Sequence, residues 1–432
     1  MAGWLSYIEG LHPENIELGL DRVSKVFQRL TAKPKATTII TVAGTNGKGS
    51  TVTFLESILL SAGYTVGAYT SPHLINFNER IRINNKNATD EALIQAFKKV
   101  EQARGDDITL TYFEFTTLAA FVLFFENEKE TDLDVVLLEV GMGGRLDATN
   151  ILDPDISIIT TVDIDHVDWL GADRESIARE KAGILRRQVP MIYGDVEIPK
   201  AIKDLADKMQ CPTYTYENEY VYSHHETGWN WVGDGKTRSG LPYPVLQGEH
   251  QLKNAATCLM ALALLHLKLP VSQQAIKSGL LAANLAGRFQ VVSDHPQIIF
   301  DVAHNQQAIK HLADTAKKHK RPGRTLAVVG MLSNKNIEQS LSPMKEVIDE
   351  WFLADLTSEN PARGSTAQSL MAILSNMVKE KPLSAHESPL SAYHVALEKV
   401  KSGDRIIVFG SFLTVGGILA GIQQHGRKEI NA

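Results

Sequence analysis

Apolar runs alternate with helical patterns along the first two-thirds of the chain. Residues 37–42 form an apolar run, and residues 52–62 repeat apolar positions at helical spacing. The alternation continues with apolar runs at 134–139, 156–162 and 189–194, and helical patterns at 174–185 and 199–209. Strands separated by helices predict a mainly parallel sheet covered on both faces, which binds ligands at the carboxyl ends of its strands. Residues 214–244 break the rhythm with alternating aromatics and turn residues, as around Tyr220, Tyr222, Trp229, Trp231, Gly233 and Gly235. That segment predicts a small antiparallel elaboration. After a helical pattern at 250–267, a second series starts near Ala286, Gly287 and Arg288. Its strands are expected at 297–302, 325–329 and 405–409, and its helices at 306–318, 337–350 and 367–377. The fold class is therefore α/β, and 432 residues exceed one ordinary core. We expect two domains: residues 1–285, with the mainly parallel sheet and its antiparallel elaboration, and a smaller Rossmann-like α/β domain over residues 288–432.

The junction between the first apolar run and the first helix is the most informative stretch. Thr41 to Thr51 read T-V-A-G-T-N-G-K-G-S-T. A strand, a glycine-rich turn and a helix make a phosphate cradle. Gly44, Gly47 and Gly49 admit backbone angles that turn successive N–H groups onto an anion, the helix N-terminus favours negative charge, and Lys48 adds a full positive charge. The Walker pattern G-x-x-x-x-G-K-[ST] is met in variant form, with Val42 in place of the first glycine and Gly49 after the lysine. A merely tight turn explains the glycines but not Lys48 together with Ser50 and Thr51. Residues 1–285 thus read as a P-loop ATPase-like domain.

Composition narrows the classes. A hydrophobic content of 44% and a charged content of 22% are those of a soluble globular protein. A net charge of −6 argues against a nucleic-acid binder, and the basic run at 317–324 lies between an expected helix end and a strand, as a solvated surface does. Cys211 and Cys258 have neither metal-ligand spacing nor a disulfide framework and read as buried fillers in a reducing compartment. The first ten residues lack the pattern of a signal peptide, and the longest apolar stretches, 258–267 and 412–422, fall short of the ~20 residues that span a bilayer. Cytoplasm is the expected location, with neither a membrane nor a nucleic acid as partner.

Several side chains stand where chemistry would use them. Glu139 ends an expected strand at the sheet edge where the glycine loop opens, so its carboxylate is a metal ligand by position. His166 follows the next strand, as a phosphate or solvent contact or as a ligand. Gly141, Gly143 and Gly144 suggest a dinucleotide fingerprint, which fails because Leu146 occupies the third glycine position. Tyr112, Phe113 and Phe115 read as core residues of a strand, and Lys181 as an ordinary helix-surface lysine. Asp301 and Asn305 read as helix caps, a role compatible with ligand binding.

The variant loop G-T-N-G-K-G-S resembles that of the folylpolyglutamate synthase and dihydrofolate synthase family, relatives of the Mur ligases. So do, in that family's order, S-P-H at 71–73, L-E-V-G-M-G-G-R-L-D-A-T-N at 138–150, D-H at 165–166, E-K-A-G-I at 180–184 and F-D-V-A-H-N at 300–305. The resemblance runs from the tryptophan-bearing start at 4–10 to G-S-F at 410–412 and looks closest to the bifunctional bacterial enzymes.

The resemblance implies roles for particular residues. It places Thr45, Asn46, Gly47, Lys48, Gly49, Ser50, Asn254, Arg288 and Asp301 at ATP, with Arg288 clamping a phosphate once the domains close, and Ser50, Ser71, Glu139 and His166 at Mg²⁺. Lys48, Lys181 and His166 become catalytic, with Lys181 carbamoylated by CO₂ to N6-carboxylysine. Ile16, Glu17, Leu18, Gly19, Tyr112, Phe113, Glu114, Phe115, Leu146, Asp147 and Ala148 line the pterin, and His304 and Ser411 face the incoming glutamate. The implied reaction joins L-glutamate to 7,8-dihydropteroate and to folates, using ATP and Mg²⁺, with K⁺ as an activating monovalent cation; apart from the resemblance, we expect a monomer. Two other readings compete. A Mur ligase acting on a UDP-linked peptide usually has G-K-[TS], so Gly49 favours the folate branch. A P-loop switch or motor would carry other features, and the N-K-x-D motif is missing at both Asn85-Lys86-Asn87-Ala88 and Asn334-Lys335-Asn336-Ile337.

Overall fold

The computed structural model describes residues 1–14, 16–30, 37–126 and 132–430. Seventeen strands lie among these residues, in three sheets. Strands β1 (Thr38–Ala43), β2 (Val66–Tyr69), β3 (Ile81–Ile83), β4 (Lys86–Asn87), β5 (Val135–Glu139), β6 (Ile156–Ile159), β7 (Met191–Tyr193) and β8 (Thr213–Thr215) form one sheet in the order β4-β3-β2-β5-β1-β6-β7-β8. The six from β2 to β8 in that order run parallel, and the β3–β4 edge is antiparallel. The register pairs Val42 with Glu139 and Ala43 with Ile159. The glycine loop and Glu139 therefore leave adjacent strands at the same edge. Every residue of β1, β2, β5, β6 and β7 is buried, the pattern of strands covered on both faces.

Strands β9 (Tyr220–His225), β10 (Gly228–Gly233) and β11 (Lys236–Leu241) make the expected antiparallel elaboration. Trp229 and Trp231 on β10 are fully buried, and the indole of Trp231 donates to the Ala256 carbonyl, 3.1 Å away in the helix Glu249–Leu264.

A six-stranded sheet has the order β12-β13-β17-β14-β15-β16, from β12 (Gln290–Asp294), β13 (Gln297–Phe300), β14 (Thr325–Val329), β15 (Glu350–Ala354), β16 (Leu383–His386) and β17 (Arg405–Phe409). All neighbours are parallel except β12 with β13. Alternate residues feed two cores: Ile299, Ala327, Val329, Ile407 and Phe409 enter one, and Ile298, Phe300, Leu326, Val328, Ile406 and Val408 the other. Each fully buried aliphatic side chain contributes roughly 1.5–3 kcal/mol.

The chain forms two compact units. One comprises Met1–His73, Phe77–Val245 and Gln251–Ala283, and the other Leu74–Asn76, Leu246–His250 and Asn284–Ala432.

Three local expectations are corrected. The helix expected at 337–350 stops at Leu341, where Pro343 enters a short 3₁₀ turn, and residues 350–354 are the buried strand β15. The aromatics at 112–115 begin the helix Tyr112–Phe125 rather than a strand, because Thr111 and Glu114 close a capping box in front of it. Strand β6 ends at Ile159, and His166 stands beyond it in a left-handed conformation at φ 52°, before the short helix Val167–Leu170.

Candidate active site

Neighbouring loops hold the glycine loop. Thr45 donates its N–H to the Thr161 carbonyl at 2.8 Å, the Asn46 N–H reaches the Thr161 hydroxyl at 3.2 Å, and the Thr160 hydroxyl donates to the Asn46 carbonyl at 2.5 Å. Gly47 caps the helix Lys48–Ser61 at φ 85°, and a Cβ there would lie 2.6 Å from the Asn254 side-chain oxygen. Asn254 is thus seated against the loop, although it lies about two hundred residues further along the chain. Lys48 folds back over the loop, its Nζ donating to the carbonyls of Gly44 (2.9 Å) and Thr45 (3.3 Å). A lysine fixed this way holds its charge above the helix N-terminus, where an anion is already favoured.

At the neighbouring strand end, the Glu139 carboxylate is buried and accepts the Ser71 N–H at 3.1 Å. Ser50 is buried in the first turn of the loop's helix. Carboxylate and hydroxyl oxygens suit a hard cation, and among the described residues no cluster of three or more His, Cys, Asp or Glu side chains could hold a metal alone. This donor set fits an ion that takes its remaining ligands from phosphate and water. His166 follows Asp165, whose carboxylate accepts the His166 N–H at 2.8 Å.

Lys181 is buried at 4% exposure in the helix Arg174–Ala182, not on its surface. Burial, reinforced by the positive charge of Lys48, pulls its ammonium down to about 7, while Asp165 and Asp147 oppose the shift. The Gly141–Gly144 turn packs on the same helix, and a Cβ on Gly144 would lie 2.9 Å from the Glu180 carbonyl. That close approach accounts for glycines that form no dinucleotide fingerprint.

Of the aromatics that the resemblance implies for a pterin, Phe115 is fully buried among core aromatics, while Tyr112 and Phe113 are half-buried. Phe113 lies over the Gly141 backbone, where a Cβ would meet its ring at 2.5 Å. Asp147 is buried and ties its own turn, accepting the N–H groups of Met142 (2.9 Å) and Thr149 (3.0 Å). Residues 16–19 belong to no helix or strand. Arg80 stacks over Tyr112 at 5.4 Å and donates to His73, whose imidazole is pushed down to about 4, first by burial and then by that cation.

In the other unit, Asp301 accepts the N–H groups of Phe289 and Ala303, both at 2.8 Å, so it ties a loop instead of capping the next helix. Burial raises its carboxyl, and Arg288 opposes that rise. Asn305 does cap the helix Gln306–Lys318, accepting the Ala308 N–H at 3.0 Å. The Arg288 guanidinium lies 5.4 Å over the Phe412 ring, which also neighbours His304. The Ser411 hydroxyl is buried and engaged with Thr414, at 2.8 Å to its hydroxyl and 3.0 Å to its N–H.

The basic stretch at 317–324 is solvent-facing in its helical part, and its Arg324 pairs with Glu350 and Asp404. Cys258 is buried and Cys211 half-buried, both as free thiols. Among the described residues no helix is long and apolar enough to cross a membrane. Sequence reasoning missed the burial of Lys181, the threonines that hold the glycine loop, and Arg22, which bonds both Glu17 and Glu114.

Residues 42–262 match the Mur ligase middle domain, and residues 287–412 the Mur ligase, glutamate ligase domain. The dihydrofolate synthase/folylpolyglutamate synthase of Escherichia coli (strain K12) is 45% identical, over 97% of this chain and 94% of the relative. The structure of E. coli FolC in complex with DHPP and ADP superposes with a TM-score of 0.90 at 44% identity, covering 98% of each chain. A bifunctional folylpolyglutamate synthase/dihydrofolate synthase with Mn, AMPPNP and L-glutamate bound gives 0.87 at 44% identity, again over 98% of each. With its phosphate loop, strand-end glutamate and two α/β units, the chain belongs to the dihydrofolate synthase/folylpolyglutamate synthase family of the Mur ligases.

Proposed function

We infer that this chain makes its amide bond through an acyl phosphate formed at the glycine loop. The chain is an ATP-dependent glutamate ligase, adding L-glutamate to dihydropteroate and to folates. A carboxylate resists an amine because its carbonyl is electron-rich and its oxide leaves poorly. Transfer of the γ-phosphoryl group to the pteroate carboxylate makes a mixed anhydride, which the glutamate amine attacks with loss of phosphate. The observation that carries this reading is Lys48, held over the loop by the Gly44 and Thr45 carbonyls, where it neutralises charge on the phosphoryl oxygens. Thr45, Asn46, Gly47, Gly49 and Asn254 shape the nucleotide end of this unit, and Ser50, Ser71, Glu139 and His166 are the ligands for Mg²⁺. The ion, when bound, supplies further neutralisation of the phosphates.

Lys181 becomes a carbamate: its neutral amine, accessible near pH 7, adds to CO₂ with loss of a proton, turning a buried cation into an anion near Lys48. Residues 16–19, 112–115 and 146–148 form the pterin wall, and Arg288, Asp301, His304 and Ser411 serve nucleotide and glutamate from residues 288–432. Residues 1–285 are then the ATP- and pterin-binding domain. The enzyme is cytoplasmic and monomeric, with K⁺ as an activating cation. Phosphate release tests the reading. It should require dihydropteroate and glutamate together and carry oxygen from an isotope-labelled dihydropteroate carboxylate, and released phosphate without that label would overturn the acyl phosphate.

A further inference from the structure

We propose that Arg22 is a positioning residue for folate recognition, clamping the loop at 16–19 to the first turn of the helix Tyr112–Phe125; this rests on the pterin wall described above. One guanidinium serves both segments. Its NH1 pairs with the Glu17 carboxylate, and its NH2 donates to the Glu17 carbonyl at 3.0 Å. On the other side its Nε donates to Glu114 Oε2 at 3.3 Å, and NH2 faces Glu114 Oε1 at 3.1 Å.

The two glutamates differ in what they need from it. Glu114 is 3% exposed, and its carboxylate also accepts the Thr111 N–H at 2.8 Å, which closes the helix cap. A buried carboxylate without a cation is strongly disfavoured, so Arg22 is anchored at this end. Glu17 is exposed, and the loop that carries it belongs to no helix or strand, so side-chain bonds determine its position. His12 supplies a second tie, with Nε2 on Glu17 at 2.7 Å and Nδ1 on the Thr109 hydroxyl at 2.8 Å. Both ties run from the loop to residues 109–114, just ahead of and within the helix turn that carries Phe113.

Phe113 in turn lies against Gly141, in the turn that follows Glu139. Anchored in the helix, Arg22 thus fixes the loop relative to the aromatic wall and, through it, to the strand-end carboxylate. A planar five-donor fork can do this where an ammonium cannot. Arg22 touches no reacting atom in this account; it sets the distance between two walls.

Arg22→Gln and Arg22→Lys should be compared with Phe113→Ala, which alters the wall and leaves the clamp intact. KM for dihydropteroate, KM for ATP, kcat and Tm are measured for each. Arg22→Gln should raise KM for dihydropteroate about tenfold, the equivalent of one charge-assisted hydrogen bond, with KM for ATP within about twofold of the parent. Arg22→Lys retains the charge against Glu114, so it should keep the parent Tm and still show part of the KM defect. A raised KM in Phe113→Ala with an unchanged KM in both folded Arg22 variants overturns the clamp and leaves the pterin wall standing. An unchanged KM in Phe113→Ala overturns the wall itself, and the proposal with it. Equal rises in both KM values in Arg22→Lys would make Arg22 a structural residue only, which also refutes the proposal.

Discussion

A single lysine in the glycine loop ties that loop together, through the bonds from Lys48 to Gly44 and Thr45, and carries the charge we propose for the phosphoryl group. Lys48→Ala should lower kcat by a factor on the order of 10³, as for loss of a major electrostatic contact, while circular dichroism stays that of the parent. Glu139→Gln keeps the acceptor for the Ser71 N–H and removes the charge. Its activity should fall by about 10²-fold or more, with little recovery at high magnesium; an unaltered magnesium dependence would count against metal ligation. Lys181 makes a prediction about pH. Its folded-state value is depressed from 10.5 to about 7, so between those values the unfolded chain holds a proton that the native chain has released. Stability from this group therefore rises with pH across that window. In CO₂-free buffer the parent Tm should climb from pH 6.5 towards 9.5 relative to Lys181→Met, and parallel curves would refute the buried amine. In bicarbonate, intact mass under native conditions should show one added CO₂ on the parent and none on Lys181→Met.

Elements differ in how openly the sequence announces them. Strands β1, β5, β6, β14 and β17 were legible because short apolar runs stood between helical patterns, and the capping role of Asn305 followed from its place after β13. The helix Tyr112–Phe125 was not, since it is apolar on nearly every side and shows no periodicity to set it apart from a strand. Strand β15 was hidden by the preceding helical pattern, with Pro343 the overlooked stop signal. The burial of Lys181 had no local signal at all, because the groups that act on its ammonium, Lys48, Asp165 and Asp147, come from segments distant along the chain. Contacts between distant segments decide what spacing cannot. The glycine loop itself offers a test at this scale. A Cβ on Gly44 would fall 1.9 Å from the Thr160 hydroxyl, at a φ of 145°. Gly44→Ala should cost about 2 kcal/mol or more in urea unfolding and shift the loop that Lys48 spans; a parent-like midpoint would mean that the loop has slack.

At the scale of the whole molecule, the compact units do not follow the order of the chain. The unit built on the six-stranded sheet includes Leu74–Asn76 and Leu246–His250, both drawn from within the 42–262 span of the middle-domain match. Leu74 joins the core of Val302, Val415 and Ile418, and its carbonyl lies where a Cβ on Gly416 would come within 2.1 Å. His250 stacks on His311 with ring centroids 4.8 Å apart. Residues 288–432 produced alone would lack these pieces. Such a fragment should bind the dye ANS and lose near-ultraviolet circular dichroism relative to the intact protein, and a rigid, dye-free fragment would show the short segments to be dispensable. For anyone recombining parts of these ligases, a crossover near residue 286 therefore replaces most of one unit but leaves two of its pieces with the other parent. A workable hybrid has to carry residues 74–76 and 246–250 from the same parent as its C-terminal half, so inheritance in this fold is tied to contacts more than to position in the gene.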